Sequence, residues 1–124
     1  MNPIQRHFIN ALRSGQYQEG NLRLRWKDKF TPAGVLADQY LKAMNRPWHE
    51  APWVKDERGR VVWKDPRRHI GVPRIIAAWA CIPMEVMVKL EQLNDNGLTY
   101  PELADHLEKE LKEKEASRLG RRAS

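Results

Sequence analysis

The sequence predicts an α+β fold, a mainly helical single domain of about five helices with a small antiparallel strand or hairpin element. Three observations predict it. Segments of helical periodicity, each opened by a capping residue or a proline, account for most of the chain. One stretch, Leu22 to Lys27, alternates apolar and basic residues with period two. Another, Trp53 to Trp63, sets two short apolar runs around an Asp56-Glu57-Arg58-Gly59 turn. A length of 124 residues suits one domain, expected over residues 1–117, with a flexible basic tail over 118–124.

In chain order, Asn2 is the expected N-cap of a first helix and Pro3 suits its first position. Ile4, Phe8, Ala11 and Leu12 recur at helical spacing, and Ser14-Gly15 ends the element. Leu22, Leu24 and Trp26 then alternate with Arg23, Arg25 and Lys27, which predicts a half-buried strand. On that reading Trp26 belongs to the core, and Arg23, Arg25, Lys27 and Lys29 share the solvent face. Thr31-Pro32 opens a second helix with Ala33, Leu36, Ala37, Tyr40, Leu41 and Met44 on one face, stopped near Asn45 by Pro47.

Residues 46–74 hold four of the eight prolines and the predicted hairpin, in which Trp53 faces Trp63. Pro73 to Trp79 gives a short buried helix, with Trp79 in the core. Pro83 opens another helix, lined by Val86, Met87, Leu90 and Leu93 and stopped at Asn94-Asp95-Asn96-Gly97. Thr99 and Glu102 make a capping-box pair ahead of Leu103, Leu107 and Leu111. Past Leu111 the apolar face is gone, and interleaved Lys and Glu predict a helix that frays into solvent.

Composition narrows the function classes. With 41% hydrophobic and 31% charged residues the chain is too apolar to be disordered throughout. Its longest apolar run, Ile75 to Ile82, is too short to span a membrane, and the N-terminus lacks the pattern of a signal peptide. The single cysteine, Cys81, cannot form an internal disulfide; between Trp79-Ala80 and Ile82 it reads as a buried, inert thiol. A soluble, cytoplasmic protein is the expectation. His7, His49, His69 and His106 lack metal-ligand spacing, and Asp105 and His106 point about 100° apart on a helix. Neither GxGxxG nor a phosphate-cradling loop occurs. Hence no catalytic residue, metal or cofactor is expected, and the chain reads as a non-enzymatic binding protein.

The charge is uneven. Against a net +6, residues 1–76 carry 15 Lys and Arg to 7 Asp and Glu, whereas residues 77–124 carry 7 to 9. This asymmetry points to a nucleic acid, a nucleoprotein or an acidic protein face as partner. Arg23, Arg25, Lys27 and Lys29 would recur every 6.6–6.8 Å or so along a strand face, close to the phosphate spacing of a nucleic-acid strand. Arg58, Arg60, Lys64, Arg67, Arg68 and Arg74 form a second cluster interleaved with Trp53, Trp63 and His69, a composition of RNA and single-strand surfaces. A solvated strand face and a cross-strand tryptophan pair are the structural alternatives. Leu98 to Leu107 looks like the start of a helix-turn-helix, but its helix runs on through Glu108 to Glu113 without a turn, in the acidic half.

Several blocks resemble a family of short proteins encoded by tailed phages and prophages. They are Leu12-Arg13-Ser14-Gly15-Gln16-Tyr17-Gln18-Glu19-Gly20, Leu22-Arg23, Lys29-Phe30 and Gly34-Val35-Leu36-Ala37-Asp38-Gln39-Tyr40. Further on come Trp79, Leu93-Asn94-Asp95-Asn96-Gly97 and Glu102-Leu103-Ala104-Asp105-His106-Leu107-Glu108. Members of that family often carry cysteines where this chain has Thr31, Pro32 and Ala37, so no cysteine chemistry carries over. The resemblance implies an accessory protein acting inside a bacterial host. Its expected partner is a host protein or nucleoprotein complex, such as a CRISPR or other defence complex that it would inhibit. The alternatives are a regulator that binds DNA or RNA directly and a minor virion component.

Overall fold

The computed structural model describes residues 1–20, 23–56, 58–68 and 71–123, the side chains of 68 and 118–123 excepted. Helix α1 (Pro3–Ser14) starts at the expected cap. Gln5 N donates to Asn2 Oδ1 at 2.8 Å, Asn2 N donates back to Gln5 Oε1 at 3.2 Å, and Gly15 ends the helix. Three two-residue strands follow, β1 (Gln18–Glu19), β2 (Arg25–Trp26) and β3 (Lys29–Phe30). Then come α2 (Pro32–Ala43), 3-10 turns at Trp48–Glu50, Pro52–Val54 and Pro66–Arg68, and helices α3 (Arg74–Ala80), α4 (Met84–Asp95) and α5 (Tyr100–Ala123). The architecture is α+β and mainly helical, as the sequence predicts.

Helix α2 is the centre of the molecule. Every residue from Pro32 to Leu41 is buried, so this helix has no solvent stripe over that span, and α1, α3 and α4 pack around it. Helix α5 lies along α1 and α4, burying Leu103, Leu107 and Leu111 against them. Met44, expected on the buried face, is exposed because it is the C-cap, beyond the last packed turn.

Because α2 begins inside the core, its first N–H groups need protein acceptors. Thr31 Oγ1 accepts from Gly34 N at 3.1 Å, and Glu91 Oε1, reaching across from α4, accepts from Ala33 N at 2.6 Å. Thr31 N donates to Leu24 O at 3.3 Å. That carbonyl lies so close to α2 that a Cβ on Gly34 would sit 1.7 Å from Leu24 O, so only glycine fits.

The predicted strand over 22–27 is a correction. Residues 21 and 22 lie outside the described residues, and the extended segment is only Arg25–Trp26. The chain then reverses through Lys27 (φ 56°) and Asp28, and β3 pairs antiparallel with β2, Trp26 opposite Lys29 and Arg25 opposite Phe30. The four basic residues therefore do not line one strand face. Leu24 is buried as expected, but Trp26 is 39% exposed, beside the turn and on the edge strand of the sheet. The sheet, ordered β1-β3-β2, is also mixed rather than purely antiparallel, since β1 pairs parallel with β3.

The hairpin expected around Asp56–Gly59 shrinks to one bridge, Lys55 to Val61. The turn itself forms, with Gly59 at φ 77° and Asp56 N donating to Arg60 O at 2.9 Å. Trp53 sits on a 3-10 turn and packs on Trp48 and Tyr40, so it is no strand residue facing Trp63. Trp79 is only partly buried, edge-on to Tyr40. Cys81 is exposed, not buried: as the C-cap of α3 it adopts φ 55°, which turns its side chain away from the core.

Helix α5 runs past Leu111 to Ala123 instead of fraying. Ion pairs at 2.9 Å from Glu108 to Lys112, Glu85 to Lys114 and the Met1 amine to Glu115 fasten the extra turns. The backbone of 118–123, expected as a flexible tail, is helical, and Ser124 lies outside the described residues.

Two predictions follow from the start of α2. Gly34→Ala forces the Leu24 backbone away and should cost about 3 kcal/mol or more in a urea unfolding titration. An unchanged midpoint would show that the close approach is not required. Burial pushes the Glu91 carboxyl up to about 7, against hydrogen bonds from Ala33 and Thr31 that favour its ionised form. The folded state therefore holds this proton more tightly than the unfolded chain does. The resulting stability is present below about pH 4.5 and is lost as pH rises through about 7. Glu91→Gln should flatten that decline in thermal melts across the window, and an undiminished decline would assign it elsewhere.

Candidate binding surface

Beside the sheet, Asp38 of α2 gathers three donors. Tyr17 Oη donates to Oδ2 at 2.6 Å, Lys42 Nζ lies 2.9 Å from the same oxygen, and Trp48 Nε1 donates to Oδ1 at 3.1 Å. Burial opposes ionisation of Asp38, but the hydrogen bonds from Tyr17, Lys42 and Trp48 together outweigh it and hold the carboxyl below its usual range. Burial and then the Asp38 carboxylate push the Tyr17 hydroxyl up to about 12, so it serves as a proton donor at neutral pH. The network fixes Tyr17 and Trp48, and these rings carry Phe30. Tyr17 and Phe30 meet edge-on at 5.0 Å, and Phe30 and Trp48 lie 6.3 Å apart.

On this aromatic floor rests Arg25. Its guanidinium lies 5.4 Å from the Phe30 ring centre and 5.7 Å from that of Trp48, and its Nε donates to Lys27 O at 3.0 Å. Lys42 sits 5.7 Å from the Tyr17 ring, so cation, ring, ring and cation follow one another from Arg25 through Phe30 and Tyr17 to Lys42. A groove of about 590 Å³ opens here, lined by Gln16, Tyr17, Gln18, Arg25, Asp28, Phe30, Asp38 and Lys42.

The other sequence-predicted site residues do not form one surface. Arg23 covers the exposed Trp26 ring at 4.7 Å, and Lys27 and Lys29 are exposed at and beside the hairpin tip. Strand β2 also packs against the Pro66–Arg68 turn, so the fold brings part of the second cluster, Arg67 and the backbone of Arg68, to the first. Two members of that second cluster are neutralised locally. Arg60 pairs with Asp56 at 2.9 Å and Arg67 with Asp65 at 3.0 Å, each carboxylate also accepting from the backbone of its own turn. Arg58 and Lys64 are exposed, and Arg74 is exposed on the first turn of α3, while His69 lies outside the described residues. Tyr17, Asp38 and Lys42 were missed by sequence reasoning. The available signal was one carboxylate, Asp38, inside an otherwise apolar run of helix.

Fold and surface together define a small, mainly helical α+β domain that displays a basic hairpin on an aromatic floor. The chain belongs to the DUF8296 family, a domain of unknown function whose model matches residues 1–111. The match ends at Leu111, which closes the buried face of α5 among the described residues. No curated protein and no solved structure matches the chain. No helix among the described residues is long and apolar enough to cross a membrane.

Asp38→Asn keeps the shape of the network and removes its charge. It should lower stability by about 1–3 kcal/mol, read by urea titration of tryptophan emission. A variant as stable as the parent would show that the three donors are equally well served by a neutral acceptor.

Proposed function

We propose that the chain acts by binding, without catalysis, and that its hairpin face engages and modulates a nucleic-acid-associated complex of a bacterial host. The observation that carries this reading is Arg25, held on Phe30 and Trp48 without a carboxylate partner among the described residues, on a hairpin whose β2 meets the second basic segment at the Pro66–Arg68 turn. The resemblance to phage and prophage proteins supplies the setting, an accessory factor in the host cytoplasm, and inhibition of a CRISPR or similar defence complex is the activity that fits both. A regulator that contacts DNA or RNA directly is the second reading. It is favoured by Lys27 and Lys29, which are exposed and have no carboxylate partner among the described residues.

The test measures binding to labelled DNA and RNA, single- and double-stranded, across a salt series, and inhibition of target cleavage by a purified RNA-guided defence nuclease. About six phosphate contacts on duplex DNA would give a log–log salt slope near −5. Lys27→Glu with Lys29→Glu should weaken the interaction about tenfold or more, in whichever arm binds, and leave the thermal midpoint unchanged. Full affinity in that double variant would remove the hairpin from the interface. Absence of both nucleic-acid binding and inhibition would overturn the proposal.

A further inference from the structure

We infer that the groove beside Arg25 is an anion site, that Arg25 is its bidentate anchor, and that it seats one phosphate group of a nucleic-acid strand. This inference deepens the binding function proposed above and rests on it for the class of ligand.

Three arginines spend their donors on carboxylates. Arg13 spends a terminal nitrogen on Asp105 at 2.6 Å and Glu108 at 2.7 Å, while Arg60 and Arg67 pair with Asp56 and Asp65. Arg25 behaves differently. Only its Nε has an acceptor, the carbonyl of Lys27, and among the described residues neither Nη has one. No carboxylate lies within ion-pair distance of it among those residues, although Asp28 is three positions away.

The side chain is nevertheless fixed, half-buried against Phe30 and Trp48. An arginine held by its stem and Nε, with both Nη groups unspent beside a groove, has already lost the rotamer freedom that binding would otherwise remove. Its planar fork matches two oxygens of a phosphate.

The rest of the groove supports an anion of that size. Lys42 lines it from α2 and retains ammonium protons beyond the one directed at Asp38, and the amides of Gln16 and Gln18 add neutral donors. Two carboxylates also line it. Asp38 has its charge taken up by Tyr17, Lys42 and Trp48, whereas Asp28 is exposed and acts against an incoming anion. A strand of phosphates fits better than a lone anion because Lys27, exposed at the turn and bonded through its carbonyl to Arg25, offers a further cation to a neighbouring phosphate. Lys29, by contrast, pairs with Trp26 on the other face of the hairpin.

The test uses the full chain. Inorganic phosphate and a short labelled single-stranded oligonucleotide are titrated separately while the Arg25 Nε–Hε resonance is followed, with anisotropy giving the oligonucleotide affinity. Both probes should shift that resonance. Arg25→Lys, which keeps the charge and loses the fork, should bind the oligonucleotide about tenfold more weakly. Asp28→Asn, an exposed change that leaves the aromatic floor intact, should tighten binding several-fold and keeps the proposal testable if Arg25→Lys disturbs the fold.

Oligonucleotide binding that is indifferent to both substitutions would overturn the site and leave the nucleic-acid reading standing. A phosphate response at Arg25 without oligonucleotide binding would overturn the assigned ligand. Stronger binding of a poly-glutamate peptide than of the oligonucleotide would do the same, in favour of an acidic protein face.

Discussion

The architecture depends on one constraint, that α2 starts in the interior, where water cannot accept its free N–H groups. The chain meets that requirement with two side chains, Thr31 accepting from Gly34 N and Glu91 of α4 from Ala33 N, while the Leu24 carbonyl, packed against Gly34, accepts from the N-cap Thr31 N. Each contact also positions an element. Glu91 sets α4 against α2, and Leu24 brings the segment before the hairpin onto the helix. Neighbouring contacts tighten the same junction, for Asn94 Nδ2 donates to Gly20 O at 2.7 Å and Tyr100 N to Glu19 Oε1 at 2.6 Å. The Tyr100 hydroxyl donates to the Phe30 carbonyl. A sheet of two-residue strands could not stand alone in water. Here it is held as a corollary of how a buried helix begins.

That arrangement explains why the candidate surface is firm although it is built from turns. Phe30 joins the two regions. Its carbonyl receives Tyr100 from the core side, and its ring supports Arg25 on the groove side. Asp38 has a similar double role, buried in α2 while collecting donors from Tyr17, which lines the groove, and from Trp48, which supports Phe30 and Arg25. Surface ion pairs such as Arg13 with Asp105 contribute little by comparison, because solvent and salt screen them. The apolar packing of α1, α4 and α5 around α2 dominates the stability.

Helix starts were the most legible feature of the sequence. The caps at Asn2, Thr31 and Thr99 all form, because capping is local chemistry between residues three apart. The apolar faces of α4 and α5 were legible for the same reason of short range. What escaped was tertiary. Period-two alternation correctly placed Leu24 inside, but it could not reveal that the chain reverses at Lys27, which leaves Trp26 at an open edge. Cys81 sits in an apolar run, and only the left-handed backbone of a helix end puts it outside. For the surface, a count of basic residues included Arg60 and Arg67, whose charges are neutralised by aspartates within their own turns. It gave Arg25 no special rank, since its distinction comes from two rings brought beneath it by folding.

The reversal at Lys27 has an evolutionary side. A lysine at φ 56° sits in a region where glycine or asparagine rests more easily, at a cost of roughly 1 kcal/mol. Selection for stability alone would drift toward those residues at this position and discard a charge at the tip of the hairpin. Retention of lysine would mark pressure from a partner, and its loss in other members would mark a change of partner or of affinity. One backbone angle thus sets robustness against surface charge within a single residue, and variation at position 27 across the family would record which of the two prevailed.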